Sequence, residues 1–227
     1  MLCLRGNRKL GKVPHFSLPP IVSCPGRTEL CQKICYGLHG QFTLPNVKDA
    51  LNRRYELSLA DSFVDEMVRE IWQLHLPMIK DVQPYRLHEV GDFYDIVYVE
   101  KWRQIISSCP HVTFYGYTRA WRDPELMPAL EGLRRYPNVV LHASIDWSHG
   151  DRPPPDWRIV SIGLEGKNCS YEDRKATTCM DCGRCFLPVK VNTSWKVKHA
   201  SAVPYNCLPM VGEHGGFLKK GGDSWKS

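Results

Sequence analysis

The sequence predicts a parallel α/β fold: a partial or trimmed TIM-like (βα) barrel of about five or six units, followed by a C-terminal cysteine-rich module. Three observations predict it. Between residues 21 and 165, segments rich in β-branched and aromatic residues alternate with segments of helical period, the pattern of parallel strands joined by right-handed crossovers. The chain has 227 residues, short of the about 250 typical of a complete eight-unit barrel. From residue 166 onward the alternation fades, and four cysteines fall within 17 residues.

The elements follow in order. Residues 1–20 form a basic segment that ends in "SLPP". Ile21-Val22-Ser23 reads as a short buried strand that runs into Cys24. A helix is expected from Pro45 to Leu59, with proline in its first turn. A second starts at Asp61 as N-cap and carries Phe63, Met67, Val68, Ile71, Trp72 and His75 on one stripe. "YRLHEV" (85–90) is a strand ending at Gly91-Asp92, and residues 95–108 form an amphipathic helix. "VTFYGYT" (112–118) is a strand on composition. Residues 123–136 form a helix opened by Asp123 and a proline. Residues 138–146 and 157–164 complete the strands. The expected division is therefore a basic segment 1–20, a βα core 21–165, and a cysteine-rich module with a basic tail, 166–227.

Composition excludes several classes. Hydrophobic residues make up 43% and charged residues 24%, an ordinary globular balance that rules out a collagen-like or broadly disordered chain. No apolar run of about 18 residues is present, so no membrane span and no membrane partner is expected. "MLCLRGNRKLGK" lacks an apolar stretch, so no secretory signal is expected and the cytoplasm is the expected location. Thiols there stay reduced, which favours metal ligation over disulfides. The net charge is +6, with the excess at Arg5, Arg8, Lys9 and Lys12 and again at Lys219, Lys220 and Lys226. Two solvated tails explain it, and a nucleic-acid patch is the alternative.

Seven of the ten cysteines fall into two groups. Cys24, Cys31 and Cys35 have the spacing C-x6-C-x3-C at the C-terminal end of the first expected strand, the edge where parallel barrels place their sites. Soft thiolates suit iron–sulfur clusters and zinc. A structural zinc wants four protein ligands, and this loop supplies three. A [4Fe–4S] cluster on three cysteines leaves one iron open, unless Cys207 or His39 fills it. Zinc and unligated redox thiols are the alternatives. Cys169, Cys179, Cys182 and Cys185 include the run "CMDCGRC", whose two-residue spacings let sulfurs converge on one centre, as in ferredoxin-type runs. A zinc ribbon is the alternative there. Polar residues at the other strand ends, Gly91, Asp92, Arg119, Ser144 and Asp146, would ring the same mouth as the first loop and contact a cofactor. For Asp92 a helix-capping role is the competing assignment.

The stretches "FSLPPIVSCPGRTELCQKICYG", "RLHEVGDFYDIVYVEKWRQII", "VTFYGYTRAW" and "PNVVLHASID" resemble the gene product 88 family of phages and mobile elements. More distantly, the chain resembles radical S-adenosylmethionine enzymes. Those carry three cysteines after the first barrel strand, and the open iron of their cluster binds the methionyl group. Their Gly-Gly-Glu after the second strand falls near Gly91-Asp92, and their Ser-x-Asp after the fourth is echoed by Ser144–Asp146. Several bear a C-terminal auxiliary cluster. Their loop is C-x3-C-x2-C with an aromatic before the last cysteine, whereas here Tyr36 follows it. The resemblance implies one or two [4Fe–4S] clusters, S-adenosylmethionine as a cofactor and a reductant protein as partner.

Two functional classes fit the sequence. One is an iron–sulfur protein with redox or radical chemistry. The other is a non-enzymatic zinc- or cluster-stabilised module, electron carrier or nucleic-acid binder.

Overall fold

A computed structural model describes residues 1–148, 152–162, 167–187, 193–195, 210–211 and 217–218. Lys219, Lys220, Lys226 and Cys207 lie outside the described residues. The chain folds as mixed α/β around a parallel sheet. Its elements are β1 (His15–Phe16), α1 (Glu29–Lys33), α2 (Pro45–Leu59), α3 (Phe63–Gln73), β2 (Pro84–His88), α4 (Ile96–Ser108), β3 (Thr113–Thr118), α5 (Met127–Arg134), β4 (Val139–Asp146), β5 (Arg158–Ile162), β6 (Lys167–Asn168), α6 (Cys179–Cys182) and β7 (Thr193–Trp195). The sheet order is β1-β2-β3-β4-β5-β7-β6, with every pairing parallel. β8 (Met210–Val211) and β9 (Phe217–Leu218) form a separate antiparallel pair.

Five successive strands lie side by side in chain order. Right-handed crossovers that all step the same way put their helices on one face of the sheet. Strand side chains alternate between faces, and the two cores reflect this. Tyr85, Leu87, Phe114, Leu141, Ala143 and Ile145 pack with residues of α3, α4 and α5 in the larger core. Tyr115, with Tyr117 and Val140, points the other way and packs with Leu10, Val13 and Phe186 in the smaller one. The second face is thus covered by the N-terminal segment and the cysteine module.

Three expectations are corrected. Ile21–Ser23 is a turn, with Ile21 at φ 72° and Val22 exposed. The first strand is instead His15–Phe16, paired with Arg86 and His88. Pro19 and Pro20 have no N–H to offer a ladder, so the strand ends before them. The helix expected from residue 123 starts at Met127, because the Asp123 carboxylate accepts the Glu125 N–H at 2.9 Å and holds a turn there. Trp72 is exposed. Its ring lies 4.2 Å from that of His111, and its Nε1 donates to the Ser108 carbonyl at 3.2 Å. By contrast α4 begins as its sequence dictates, with Asp95 accepting the Tyr98 N–H at 2.6 Å.

His88 sits at the end of β2, fully packed, with Nε2 2.9 Å from the Tyr98 hydroxyl. Burial, and then the nearby Arg86, push its pKa down to about 3. Unfolded, it would take up a proton below about 6.5. Its contribution to stability is therefore fully present above that pH and is lost as pH falls toward 3. The expected loss is about 2 kcal/mol at pH 5. Urea unfolding at pH 7 and pH 5 checks this, since His88→Gln should show a decline smaller by that amount.

Candidate metal centre

The loop that carries Cys24, Cys31 and Cys35 is pinned at four places to the C-terminal edge of the sheet. The Leu18 N–H donates to the Val90 carbonyl at 2.9 Å. Gly91, at φ 86°, lets the loop close on the end of β2, since a Cβ there would lie 2.6 Å from Leu18 and 2.7 Å from the Ser23 hydroxyl. Gly26 packs against the backbone after β3, where a Cβ would come within 1.9 Å of the Arg119 carbonyl, and its own carbonyl accepts from Arg122 Nη1 at 3.0 Å. Finally, Thr28 is the N-cap of α1, accepting the Cys31 N–H at 2.9 Å while its hydroxyl donates to Asp146 Oδ2 at 2.6 Å. Cys31 therefore sits in the first turn of a short helix anchored to the end of β4.

The two carboxylates of the mouth are engaged in holding it together. Asp146 Oδ2 also takes the buried Arg119 guanidinium, and its Oδ1 takes the Ser148 N–H and hydroxyl at 2.9 and 2.6 Å. Burial pushes the Asp146 carboxyl up, but Arg119, Ser148 and Thr28 outweigh it and hold the pKa below the usual range. Asp92 accepts the N–H groups of Phe93 at 2.8 Å, Arg119 at 2.7 Å and Ala120 at 3.2 Å. Its burial still raises its pKa to about 6. Ser144 is buried at the same edge, its carbonyl accepting from Trp121 Nε1 at 3.1 Å. Gly91 and Asp92 thus shape the loop's seat.

The three thiols share this environment. Burial, and then Asp92, push Cys24 up to about 12. Burial raises Cys31, although the adjacent Arg119 opposes it, and burial also raises Cys35. As free thiols all three stay protonated near neutrality, the opposite of a reactive redox cysteine. A coordinating metal would deprotonate them outright. Arg119 Nη2 is buried with no hydrogen-bond partner among the described residues, and its charge acts on Cys31.

The second cysteine group lies elsewhere, against the helix-free face of the sheet. The Cys179 N–H donates to the Lys9 carbonyl at 2.7 Å. Thr178 and Asp181 form a capping box on α6, and Gly183 ends it at φ 68°. His142 Nε2 donates to the Cys185 carbonyl at 2.9 Å, while Arg158 donates to the carbonyls of Leu187 and Arg184 at 3.0 and 2.6 Å. Among the described residues, no three His, Cys, Asp or Glu side chains are gathered to hold a metal ion. A [4Fe–4S] cubane also needs its thiols gathered, at wider separations than one tetrahedral zinc with bonds of about 2.3 Å.

Gly26, Thr28, Arg122 and the strand residues Arg86, Tyr115, Tyr117, His142 and Arg158 were not singled out from sequence. The strand residues share one signal, polar side chains at alternate positions of strands otherwise read as buried. Lys9, counted among the basic excess, forms an ion pair with Glu172 at 3.3 Å.

The family model described as Gene product 88 matches residues 1–176. The chain is 28% identical over 196 residues to the Gene 88 protein of Mycobacterium phage L5, covering 82% of this chain and 75% of that relative. It is 29% identical over 178 residues to the Gene 88 protein of Mycobacterium phage D29, covering 74% and 69%. No solved structure matches the chain.

Proposed function

Since the chain belongs to the gene product 88 family, we propose that its Cys24–Cys31–Cys35 loop holds a [4Fe–4S] cluster with one open iron at the mouth of a trimmed βα barrel. The observation that carries this reading is the pinned, half-buried loop of three thiols beside a buried Arg119 Nη2 that has no hydrogen-bond partner among the described residues. Thiolates ligated to iron would give that orphaned donor its partner. When bound, such a cluster supplies one-electron chemistry, and radical chemistry if S-adenosylmethionine occupies the open iron. The chain's own residues do the positioning. Asp146 and Thr28 hold Cys31 in register, Gly26 and Arg122 close the loop, and Asp92 fixes the backbone at Arg119.

Anaerobic purification followed by iron and sulfide analysis tests this. Cys35→Ser is expected to lose about four iron and four sulfide per chain relative to the wild type. Equal iron in the two proteins, or zinc alone, defeats the cluster. S-adenosylmethionine added to the reduced protein is expected to change its spectrum and release 5′-deoxyadenosine. Neither response would defeat the radical chemistry while leaving the cluster in place.

A further inference from the structure

The helix-free face of the sheet is polar where a covered face is ordinarily apolar. It presents Arg86 from β2, Tyr115 and Tyr117 from β3, His142 from β4 and Arg158 from β5. The strand register makes these neighbours, pairing Arg86 with Tyr115, Tyr117 with His142, and His142 with Arg158. The cover is the second cysteine group: the Phe186 ring lies 5.3 Å from Tyr115, and Cys179, Met180 and Cys185 pack on the same cluster.

Two features of this face call for an anion. The first is charge. Arg86 is 6% exposed. Its Nε donates to the His88 carbonyl at 3.1 Å and its guanidinium lies 4.7 Å from the Tyr117 ring centre. Among the described residues no carboxylate pairs with it. Glu89, whose charge acts on Arg86, is also engaged by His15 at 3.0 Å and by Asn7. Arg158 donates to two carbonyls and likewise has no carboxylate among the described residues. For the buried Arg86 a charge without a close counter-ion is strongly unfavourable, whereas Arg158 is half-buried. The second feature is orphaned donors. Tyr115 Oη and Arg158 Nε are buried without a hydrogen-bond partner among the described residues, and both groups interact electrostatically with Cys185. Tyr117 is already a hydrogen-bond partner of the Cys185 thiol.

Neutral thiols carry no charge and accept hydrogen bonds only weakly, so they leave the first need unmet and meet the second only in part. Four thiolates around a doubly positive cubane answer both, because that unit carries a net charge of about −2 and exposes sulfur acceptors on every side. We infer that Cys169, Cys179, Cys182 and Cys185 bind a closed, four-thiolate iron–sulfur cluster that seals the helix-free face. Its charge is offset by Arg86 and Arg158, and its sulfurs accept from Tyr115 and Tyr117. With all four positions filled by cysteine it has no site for a substrate, so its role is structural or electron-transferring. It goes beyond the mouth cluster and uses different cysteines on a different face.

The test uses the anaerobically purified full chain. Cys182→Ser is expected to lose about four iron and four sulfide, and Cys35→Ser leaves this centre in place, so the two sites fail separately. Arg86→Met and Arg158→Met are each expected to shorten the half-life of the cluster absorbance under chelator about tenfold. Arg86→Lys, which keeps the charge, should stay within about threefold of the wild type. Both methionine variants should also move the cluster potential to more negative values, which a mere packing role would not do. Wild-type iron and sulfide in Cys182→Ser overturns the proposal, as does zinc in place of iron at this site. If Cys182→Ser does not fold, the arginine variants decide. Equal half-lives and potentials for Arg86→Met, Arg86→Lys and the wild type overturn it.

Discussion

Asp146→Ala is expected to lower stability by about 3–5 kcal/mol and to strip iron from the cluster proposed for the mouth of the sheet. The Asp146 side chain is fully buried and the Arg119 side chain nearly so. Removing one partner of such a pair leaves an uncompensated buried charge, which costs that amount. The same carboxylate receives Thr28 and Ser148, so the cysteine loop loses its anchor to β4 in the same step. Asp146→Asn keeps the shape and part of the hydrogen bonding but loses the charge, and should fall between alanine and wild type. Urea unfolding gives the stability, and iron analysis of the same samples gives the site, where Asp146→Ala should match Cys35→Ser. A loss under about 1 kcal/mol with full iron would remove Asp146 from the role of clamp.

Trp102→Ala is expected to cost about 3–5 kcal/mol, the range for deleting a large buried aromatic. The ring is completely buried at the centre of the larger core. Phe16, Phe63, Tyr85, His88, Tyr98 and Phe114 all surround it at centroid distances between 5.7 and 6.4 Å. These rings come from β1, α3, β2, α4 and β3, so a cavity there loosens the helix layer from the sheet. Trp72→Ala is the control. Its ring is 58% exposed, and its loss should cost less than about 1 kcal/mol. Thermal or urea unfolding of the two variants side by side checks the contrast.

Helical period placed Trp72 on an apolar stripe and Trp102 within the amphipathic helix of residues 95–108, and only the packing of α3 against α4 separated their fates. The same limit explains β1. Two residues carry too little pattern to be read as a strand, and His15–Phe16 is one only because β2 lies alongside. Residues 112–118 and 138–146 were legible because the first is rich in β-branched and aromatic residues, the second opens on an aliphatic run, Val139-Val140-Leu141, and both are bounded by turn residues. The start of α5 was misplaced because Asp123 serves equally well as a cap or as a turn residue, and the local sequence is the same in both cases.

The mouth was legible in outline. The structure brings Gly91, Asp92, Arg119, Ser144 and Asp146 to the edge where the first cysteine loop lies, because parallel strands all end on one side. Their individual roles were not legible. A carboxylate at a strand end can face a ligand or clamp a loop, and that depends on which backbone N–H groups arrive from strands distant in sequence. For Asp92 they come from Arg119 and Ala120.

By itself the sequence determined the alternation of strands and helices, the parallel α/β class, the grouping of seven cysteines and their spacing. Each of these rests on residue type and local period. Only the tertiary structure decided which face each cysteine group meets, which carboxylates serve as clamps and which buried cations form no ion pair among the described residues. Those outcomes depend on burial and on partners brought together across long stretches of chain, where the cost of an unpaired charge exceeds any local preference.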